Sequence, residues 1–172
     1  MTMFRALDVT KLDRDAFIET FGGIYEHAPW IAARAYDMGV DASLNEVETL
    51  RERMARILDE ADHESQLTVI RAHPDLAGKA AVAGELTDSS RREQAGAGID
   101  QCSPEEFAEF ERLNDAYKKR FGFPFIIAVA GLDRYAILEA FRTRIEHDRE
   151  TERRTALVQV HRIAANRLAQ MT

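Results

Sequence analysis

The chain has 172 residues, a length typical of one domain with one hydrophobic core. Hydrophobic residues make up 45% and charged residues 31% of the sequence, which is the composition of a globular protein and excludes general disorder. The formal net charge of −7 argues against a nucleic-acid-binding surface, which is normally basic.

The sequence shows no sign of export or of a membrane anchor. No stretch reaches the ~18 apolar residues that a membrane-spanning helix needs. Residues 1–10 lack the basic segment and the apolar run of a signal peptide. Cys102 is the single cysteine, so an intramolecular disulfide is impossible. We therefore expect a cytoplasmic protein without membrane or nucleic-acid partners.

Two stretches fit the capping box, in which a Ser and a Glu three residues later bind free amides of the first helical turn. They are Ser43-Leu-Asn-Glu46 and Ser103-Pro-Glu-Glu106. After each box, apolar residues recur three or four positions apart, over 44–58 and over 107–117. Each box therefore predicts the start of an amphipathic helix.

Helical spacing also predicts six further helices, at 13–21, 29–38, 63–72 and 88–97, from about 133 to 145, and from about 150 to 169. The apolar segment 121–131 is predicted to be a short extended piece that leads into a buried helix, because Pro124 biases Phe123 toward extended backbone. No partner strand is indicated. The sequence therefore predicts one all-α domain of about eight helices over residues 1–172.

His73 is a candidate for proton transfer because of the residue that follows it. Pro74 keeps His73 out of helical geometry, so the imidazole is mounted on stiff backbone at a helix end. With an unperturbed pKa of ~6.5, a histidine is suited to general acid–base catalysis near neutral pH. The alternative is a histidine that caps the helix or fills a half-buried gap.

The sequence favours catalysis by a metal ion or by a cysteine thiol less than proton transfer by His73. The five histidines include no pair with His-Glu-x-x-His spacing, and there is no cysteine cluster for zinc, so no metal is expected. A carboxylate-rich site built from His63-Glu64, His73 and Asp75 stays open, and it would indicate a metal-dependent hydrolase that uses His63, His73 and Asp75. Cys102 precedes Ser103-Pro104 and is expected just before a helix rather than as a nucleophile.

Three polar residues of one predicted helix, Ser90, Glu93 and Gln94, share a face that is able to bind a ureido or amide-like ligand. Ser90 and Glu93 also fit a capping box, so a helix start is the alternative. Arg167 lies late in the last predicted helix. It either interacts with the helix dipole or provides a planar fork for a substrate carboxylate or a urea carbonyl.

Six stretches resemble, in the same order, the 2-oxo-4-hydroxy-4-carboxy-5-ureidoimidazoline (OHCU) decarboxylase family of urate breakdown. They span roughly residues 20–168 and are Tyr25-Glu-His-Ala-Pro-Trp30, Ala72-His-Pro-Asp-Leu-Ala-Gly-Lys79, Ser90-x-x-Glu93-Gln94, Leu113-Asn-x-x-Tyr117, Phe121-Gly-Phe-Pro-Phe-Ile126 and Arg167-Leu168. The most specific element is His-Pro-Asp-Leu followed by Ser-x-x-Glu-Gln, which places Glu93 twenty residues after His73.

The resemblance implies a helical, cofactor-free carboxy-lyase that yields (S)-allantoin and carbon dioxide and forms a homodimer. It implies His73 as the catalytic histidine and Glu93 as its acidic partner. It also implies a substrate pocket lined by Pro74, Ser90, Gln94, the backbone of Phe125, Ile126, Ile127 and Ala128, and Arg167. A helical module that holds a purine-like or ureido ligand without turnover is the alternative from another class.

Overall fold

The computed structural model describes residues 2–78 and 86–172. Within these ranges the chain forms α-helices and short 3₁₀ helices, and its β-structure is limited to an isolated bridge between Met3 and Glu46. The predicted all-α class is confirmed. Lys79, the last residue of the His73 stretch, lies outside the described residues.

Eight α-helices are present in the described part of the chain. They are α1 (Arg14–Phe21), α2 (Pro29–Asp37), α3 (Val47–Asp59), α4 (His63–Arg71), α5 (Asp88–Gly96), α6 (Pro104–Phe121), α7 (Arg134–Arg144) and α8 (Arg149–Ala169). Three 3₁₀ helices cover Val9–Lys11, Ala42–Asn45 and Ile99–Gln101. Each of the eight helices predicted from a capping box or from helical spacing coincides with one of the α-helices to within a few residues. None of the helices described has the length and apolarity to cross a membrane.

Side-chain caps define where most of these helices begin. The capping box at Ser103 is formed as predicted: the Ser103 hydroxyl accepts from the Glu106 N–H at 3.1 Å, and the Glu106 carboxylate accepts from the Ser103 N–H at 2.9 Å. Five other residues directly before a helix accept from the N–H three positions later, and they are Asp13, Asp62, Thr87, Asp133 and Asp148. A cap of this kind contributes about 1 kcal/mol.

The capping box predicted at Ser43 does not form. Asp41 caps the 3₁₀ helix Ala42–Asn45, and its carboxylate accepts from both the N–H and the hydroxyl of Ser43. Helix α3 begins later, at Val47, and its N-cap residue Glu46 makes no side-chain capping bond. The prediction was wrong because an aspartate two residues earlier binds the Ser43 groups that the box requires.

The buried helix predicted within 121–131 is also absent, since no helix occurs between the end of α6 and Arg134. Side chains satisfy the buried backbone instead. Arg144 Nη1 donates to the Ile126 carbonyl at 2.7 Å, and Gln159 Oε1 accepts from the Ala128 N–H at 2.9 Å. A buried backbone group needs a hydrogen-bond partner, but that partner can be a side chain. The segment can therefore stay irregular without leaving these groups unpaired.

Contacts group the chain into two compact units, one of Met1–Ala72 with His161–Thr172 and the other of His73–Val160. In the first unit, α2 packs against both α1 and α3. The fully buried side chains of this unit include Phe17, Phe21, Leu44, Leu50 and Met54. In the second unit, an aromatic cluster surrounds Tyr117, whose ring contacts those of Phe121, Phe123, Phe125 and Phe141. The second unit contains His73 and most of the predicted site residues.

Candidate active site

His73 lies in the loop that follows α4. Helix α4 ends at Arg71, with Ala72 as its C-cap residue, and Pro74 prevents the helix from continuing. His73 and Pro74 are half-buried. The imidazole is therefore carried outside helical geometry, as the following proline predicts, with part of its surface accessible.

Gln94 of α5 holds this loop through both ends of its side-chain amide. Its Oε1 accepts from the Ala77 N–H at 3.1 Å, and its Nε2 donates to the Asp75 carbonyl at 3.4 Å. Ala77 has a φ of +52°, a left-handed conformation that costs a non-glycine residue about 1–2 kcal/mol. The bond from Gln94 stabilises the loop in that conformation.

Two residues of α6 bind the same loop. Asn114 Nδ2 donates to the Leu76 carbonyl at 2.9 Å, and Lys118 Nζ lies 2.7 Å from Asp75 Oδ2. The two α6 residues are four positions apart and so share a helical face. The loop closes tightly at Gly78, where an added Cβ would lie 2.6 Å from the Asp75 Cβ. Side chains from two helices therefore fix the backbone that follows His73.

The predicted polar face of α5 is present, but Ser90 does not cap the helix. Thr87 is the N-cap, and its hydroxyl accepts from the Ser90 N–H at 3.2 Å. Ser90 is the third helical residue and is buried, as is Gln94, whereas Glu93 is half-buried. The capping explanation for Ser90 is therefore wrong. Ser90, Glu93 and Gln94 lie in the same unit as His73.

The segment 125–128, whose backbone is predicted to contact the substrate, belongs to this unit as well. Phe125 and Ile126 are buried, while Ile127 and Ala128 are half-buried. The Phe125 ring stacks on Phe141, with 3.8 Å between ring centres. A ligand therefore has access to this segment mainly at Ile127 and Ala128.

Arg167 belongs to the other unit, where its guanidinium is buried. Its Nη1 donates to the Gly23 carbonyl at 3.3 Å and to the Ile24 carbonyl at 3.5 Å, and its Nη2 lies 3.6 Å from a buried Glu26 carboxylate oxygen. These contacts differ from both predicted roles. Within its own unit Arg167 binds the loop that precedes α2.

In the same unit as Arg167, the histidine His161 has partners at both ring nitrogens. His161 Nδ1 lies 2.7 Å from the Tyr25 hydroxyl, and Nε2 lies 2.8 Å from an Asp59 carboxylate oxygen. Burial, with a smaller contribution from Asp59, raises the pKa of Tyr25. Because these three residues are far apart in the chain, no local sequence pattern could have predicted the arrangement.

Cys102 lies between the 3₁₀ helix Ile99–Gln101 and α6, as predicted. Burial raises the pKa of its thiol, which disfavours the reactive thiolate. As for the open alternative of a metal site at His63, His73 and Asp75, the residues that the structure describes contain no group of three His, Cys, Asp or Glu side chains arranged to hold a metal ion.

Besides Gln159, two residues that support the segment 125–128 were not predicted from the sequence. Arg144 donates to the Ile126 carbonyl, and Glu152 binds Arg144 through a 2.9 Å contact with its Nε. Both are charged residues among many others in α7 and α8, so nothing in the local sequence marks them. Asn114, in contrast, lies in the stretch Leu113–Tyr117 on which the family resemblance partly rests.

The family model of OHCU decarboxylase matches residues 10–169. The chain belongs to the OHCU decarboxylase family. A 2-oxo-4-hydroxy-4-carboxy-5-ureidoimidazoline decarboxylase of Haloferax volcanii is 45% identical over 162 residues, which are 94% of this chain and 92% of that protein. The uric acid degradation bifunctional protein PucL of Bacillus subtilis is 40% identical over 167 residues, 97% of this chain but 32% of its own length.

Two solved structures are similar in fold. A crystal structure of (S)-allantoin synthase matches with a TM-score of 0.72 and 29% identity, over 95% of this chain and 52% of that one. A crystal structure of OHCU decarboxylase in the presence of (S)-allantoin matches with a TM-score of 0.64 and 25% identity, over 82% and 89%. The chain thus spans about a third of PucL and about half of the allantoin synthase chain. As a family member it is a carboxy-lyase of urate degradation.

Proposed function

We propose that this protein decarboxylates 2-oxo-4-hydroxy-4-carboxy-5-ureidoimidazoline to (S)-allantoin and carbon dioxide without a cofactor. His73 is the general acid or base, and Glu93 assists it. The observation that carries the proposal is the family match over residues 10–169. It is supported by the loop after His73, which Gln94 and Asn114 hold by hydrogen bonds to its backbone.

The substrate supplies its own electron sink. Its hydroxyl and carboxylate share one ring carbon, and the neighbouring ring carbon is doubly bonded to nitrogen. When the bond to the carboxylate breaks, its electron pair forms a carbon–carbon double bond in the ring, and the former double bond to nitrogen leaves its electrons on that nitrogen. The protein therefore does not need to provide an electron-accepting cofactor.

Proton transfers complete the reaction. The ring nitrogen that receives the electron pair takes up a proton from solvent. The hydroxyl must then lose its proton to become a carbonyl, and the ring carbon that bears the ureido group must gain a proton on one face. Both steps suit an imidazole whose pKa lies near neutrality. We assign this proton transfer to His73, with the Glu93 carboxylate orienting the ring and stabilising its protonated form.

The remaining task is orientation of the ring. We assign it to Pro74, Ser90, Gln94, the backbone of Phe125–Ala128, and Arg167. Gln94 and Arg167 already donate hydrogen bonds within the protein, so direct contacts with substrate would have to compete with those bonds. For Gln94 we therefore propose a main contribution through the loop that follows His73.

The proposal includes a single domain over residues 1–172, a homodimer and a cytoplasmic location, with a small molecule as the binding partner. The homodimer follows from the family resemblance. Sedimentation at micromolar concentration tests it, with twice the 19.5 kDa chain mass as the expected result and the single chain mass as the contradicting one.

Release of carbon dioxide from freshly generated OHCU tests the function directly. The purified protein should accelerate release, and the allantoin formed should be optically active because one face of the ring is protonated. Pre-incubation with a chelator should leave the rate unchanged. Binding without acceleration would instead favour the non-enzymatic module, and loss of activity with the chelator would favour a metal site at His63, His73 and Asp75.

A further inference from the structure

Arg144, the last residue of α7, contacts the segment Phe125–Ala128 at two points. Its Nη1 donates to the Ile126 carbonyl at 2.7 Å, and its guanidinium carbon lies 4.4 Å from the centre of the Phe125 ring. Arg144 is only 8% exposed, so both contacts are shielded from water and are stronger than surface contacts of the same kind. One side chain therefore fixes an aromatic ring and the next carbonyl along the chain.

Glu152 of α8 holds the Arg144 guanidinium in this position. Its carboxylate is fully buried, and its Oε1 accepts from Arg144 Nε at 2.9 Å and from the Tyr117 hydroxyl at 2.5 Å. Its Oε2 lies 3.0 Å from His147 Nδ1. Burial, together with the bond to Glu152, raises the pKa of Tyr117, so this hydroxyl stays a donor at physiological pH. Because both carboxylate oxygens are engaged, Glu152 is a rigid anchor for Arg144.

A second anchor holds the same segment two residues later, where Gln159 Oε1 accepts from the Ala128 N–H at 2.9 Å. The protein itself thus uses the Ile126 carbonyl and the Ala128 N–H. A ligand held by this segment is bound through its other backbone groups. Their positions depend on the two anchors on either side of Ile127.

We infer that Arg144 is a positioning residue, which sets the location of the substrate-binding backbone at Phe125–Ala128 through its bond to Ile126 and its contact with the Phe125 ring. The inference rests on the proposed function for the identity of the substrate. Arg144 acts through the segment and does not contact the reacting atoms. This extends the site to Glu152 and Tyr117, which hold the guanidinium.

Arg144→Lys tests the inference, because lysine keeps the charge beside Glu152 but cannot bind both Glu152 and the Ile126 carbonyl in the same way. We expect the KM for OHCU to rise about tenfold with kcat changed less than about threefold, since the segment binds the substrate throughout the reaction. The matched control is Arg142→Lys on the same helix, an exposed arginine paired with Glu109 and Glu139, which should behave as wild type.

Hydrogen exchange at the Ile127 and Ala128 amides gives a readout that does not require activity. Exchange should be at least about tenfold faster in Arg144→Lys than in Arg142→Lys, because the segment opens more often. If Arg144→Lys fails to fold, the double variant Arg144→Met with Glu152→Gln removes both buried charges together and is measured in the same way.

The outcomes distinguish a failure of the inference about Arg144 from a failure of the proposed function. Equal KM and equal exchange in the Arg144 and Arg142 variants overturn the inference. A lower melting temperature with unchanged KM and unchanged exchange at the segment also overturns it, since that result indicates a purely structural ion pair. If the wild-type protein releases no carbon dioxide from OHCU, the proposed function fails, and the exchange measurement alone then decides whether Arg144 positions the segment.

Discussion

The side-chain amide of Gln94 binds the backbone N–H of Ala77, four residues after His73. The same amide donates to the Asp75 carbonyl, so one residue of α5 spans the loop. Glu93, the proposed partner of His73, is the residue before Gln94. The bonds of Gln94 therefore tie the helix that carries the carboxylate to the loop that carries the imidazole.

Gln94→Ala removes both bonds and leaves two backbone groups of the loop unsatisfied. We expect the free energy of unfolding to fall by about 1–3 kcal/mol, the cost of unpaired buried polar groups. Turnover should fall by about tenfold or more with little change in KM, because His73 loses its fixed position rather than the substrate losing a contact. Steady-state carbon dioxide release and thermal unfolding measure the two effects.

The control is Gln101→Ala, which truncates an exposed glutamine at the end of a 3₁₀ helix and should leave both quantities unchanged. A large rise in KM with unchanged kcat in Gln94→Ala would contradict the positioning role. That result would instead support a direct contact between Gln94 and the substrate, which the family resemblance implies.

Arg167→Lys separates the substrate contact from the structural one. Lysine keeps the charge beside Glu26 but cannot reproduce a planar fork between Glu26 and the Gly23 and Ile24 carbonyls. We expect a loss of about 1–3 kcal/mol of stability in addition to a raised KM. Thermal unfolding and kinetics on the same preparation check this. Loss of stability with wild-type KM would remove Arg167 from the substrate pocket.

Cys102→Ser should have almost no effect on catalysis. Burial raises the pKa of the thiol, so little thiolate is present at neutral pH, and the position before α6 suits a structural residue. We expect turnover within about twofold of wild type, since a residue outside the chemistry costs no transition-state stabilisation. A loss of activity in a folded Cys102→Ser protein would support the alternative that Cys102 is a catalytic nucleophile.

The helices were predictable because their signals are local. Capping residues such as Asp62 and Ser103 act within one turn, and apolar spacing is read over two or three turns. The errors occurred where a distant or an additional residue decides. Asp41 displaced the Ser43 box, and Arg144 and Gln159 kept the segment after α6 irregular by binding its backbone.

The candidate site likewise contains residues that could be predicted from the sequence and residues that could not. His73 and the polar face of α5 could be proposed from short stretches, because a proline or a helical period marks them. The residues that hold the loop after His73 and the segment 125–128 could not, since Lys118 lies 43 positions from the Asp75 carboxylate that it binds, and Tyr117 lies 35 positions from Glu152. Such pairs become evident only when the chain is folded.

Acid should destabilise the protein partly by protonating aspartates whose carboxylates cap helices. Hydrogen bonds from the Ser65 side chain and N–H hold the pKa of Asp62 below its ordinary value of ~3.9. Since the folded pKa is the lower one, the unfolded chain binds the proton more tightly. This contribution to stability is present above the unfolded pKa and is lost as the pH falls through the folded pKa. The free energy of unfolding should therefore decrease below about pH 4–5.

Asp62→Asn checks this by urea unfolding at neutral and acidic pH. Asparagine is as good an N-cap as aspartate but has no carboxyl group to titrate, so the variant should lose less stability between the two pH values than wild type. Asp115→Asn, which changes an exposed aspartate within α6, is the control. An identical pH dependence in all three proteins would show that the Asp62 cap does not contribute.

His73→Asn and Glu93→Gln test the mechanism most directly. Asparagine keeps part of the hydrogen-bonding shape of the imidazole but cannot exchange a proton near neutral pH. If His73 transfers a proton, turnover should fall by roughly 10²–10⁴-fold with little change in melting temperature. Glutamine keeps the size of Glu93 and removes its charge. Because Thr87 already caps α5, a loss of activity in Glu93→Gln cannot be attributed to a lost cap.

The double variant then shows whether the two residues act together. If Glu93 orients or stabilises the His73 ring, removing it has little further effect once His73 is gone, so the double variant should be less impaired than the product of the single effects predicts. Independent roles would give additive free energies instead. Full activity in one single variant would exclude that residue from the mechanism. Full activity in both would leave the decarboxylation without its proposed acid–base pair, and proton transfer would then have to be assigned to another group.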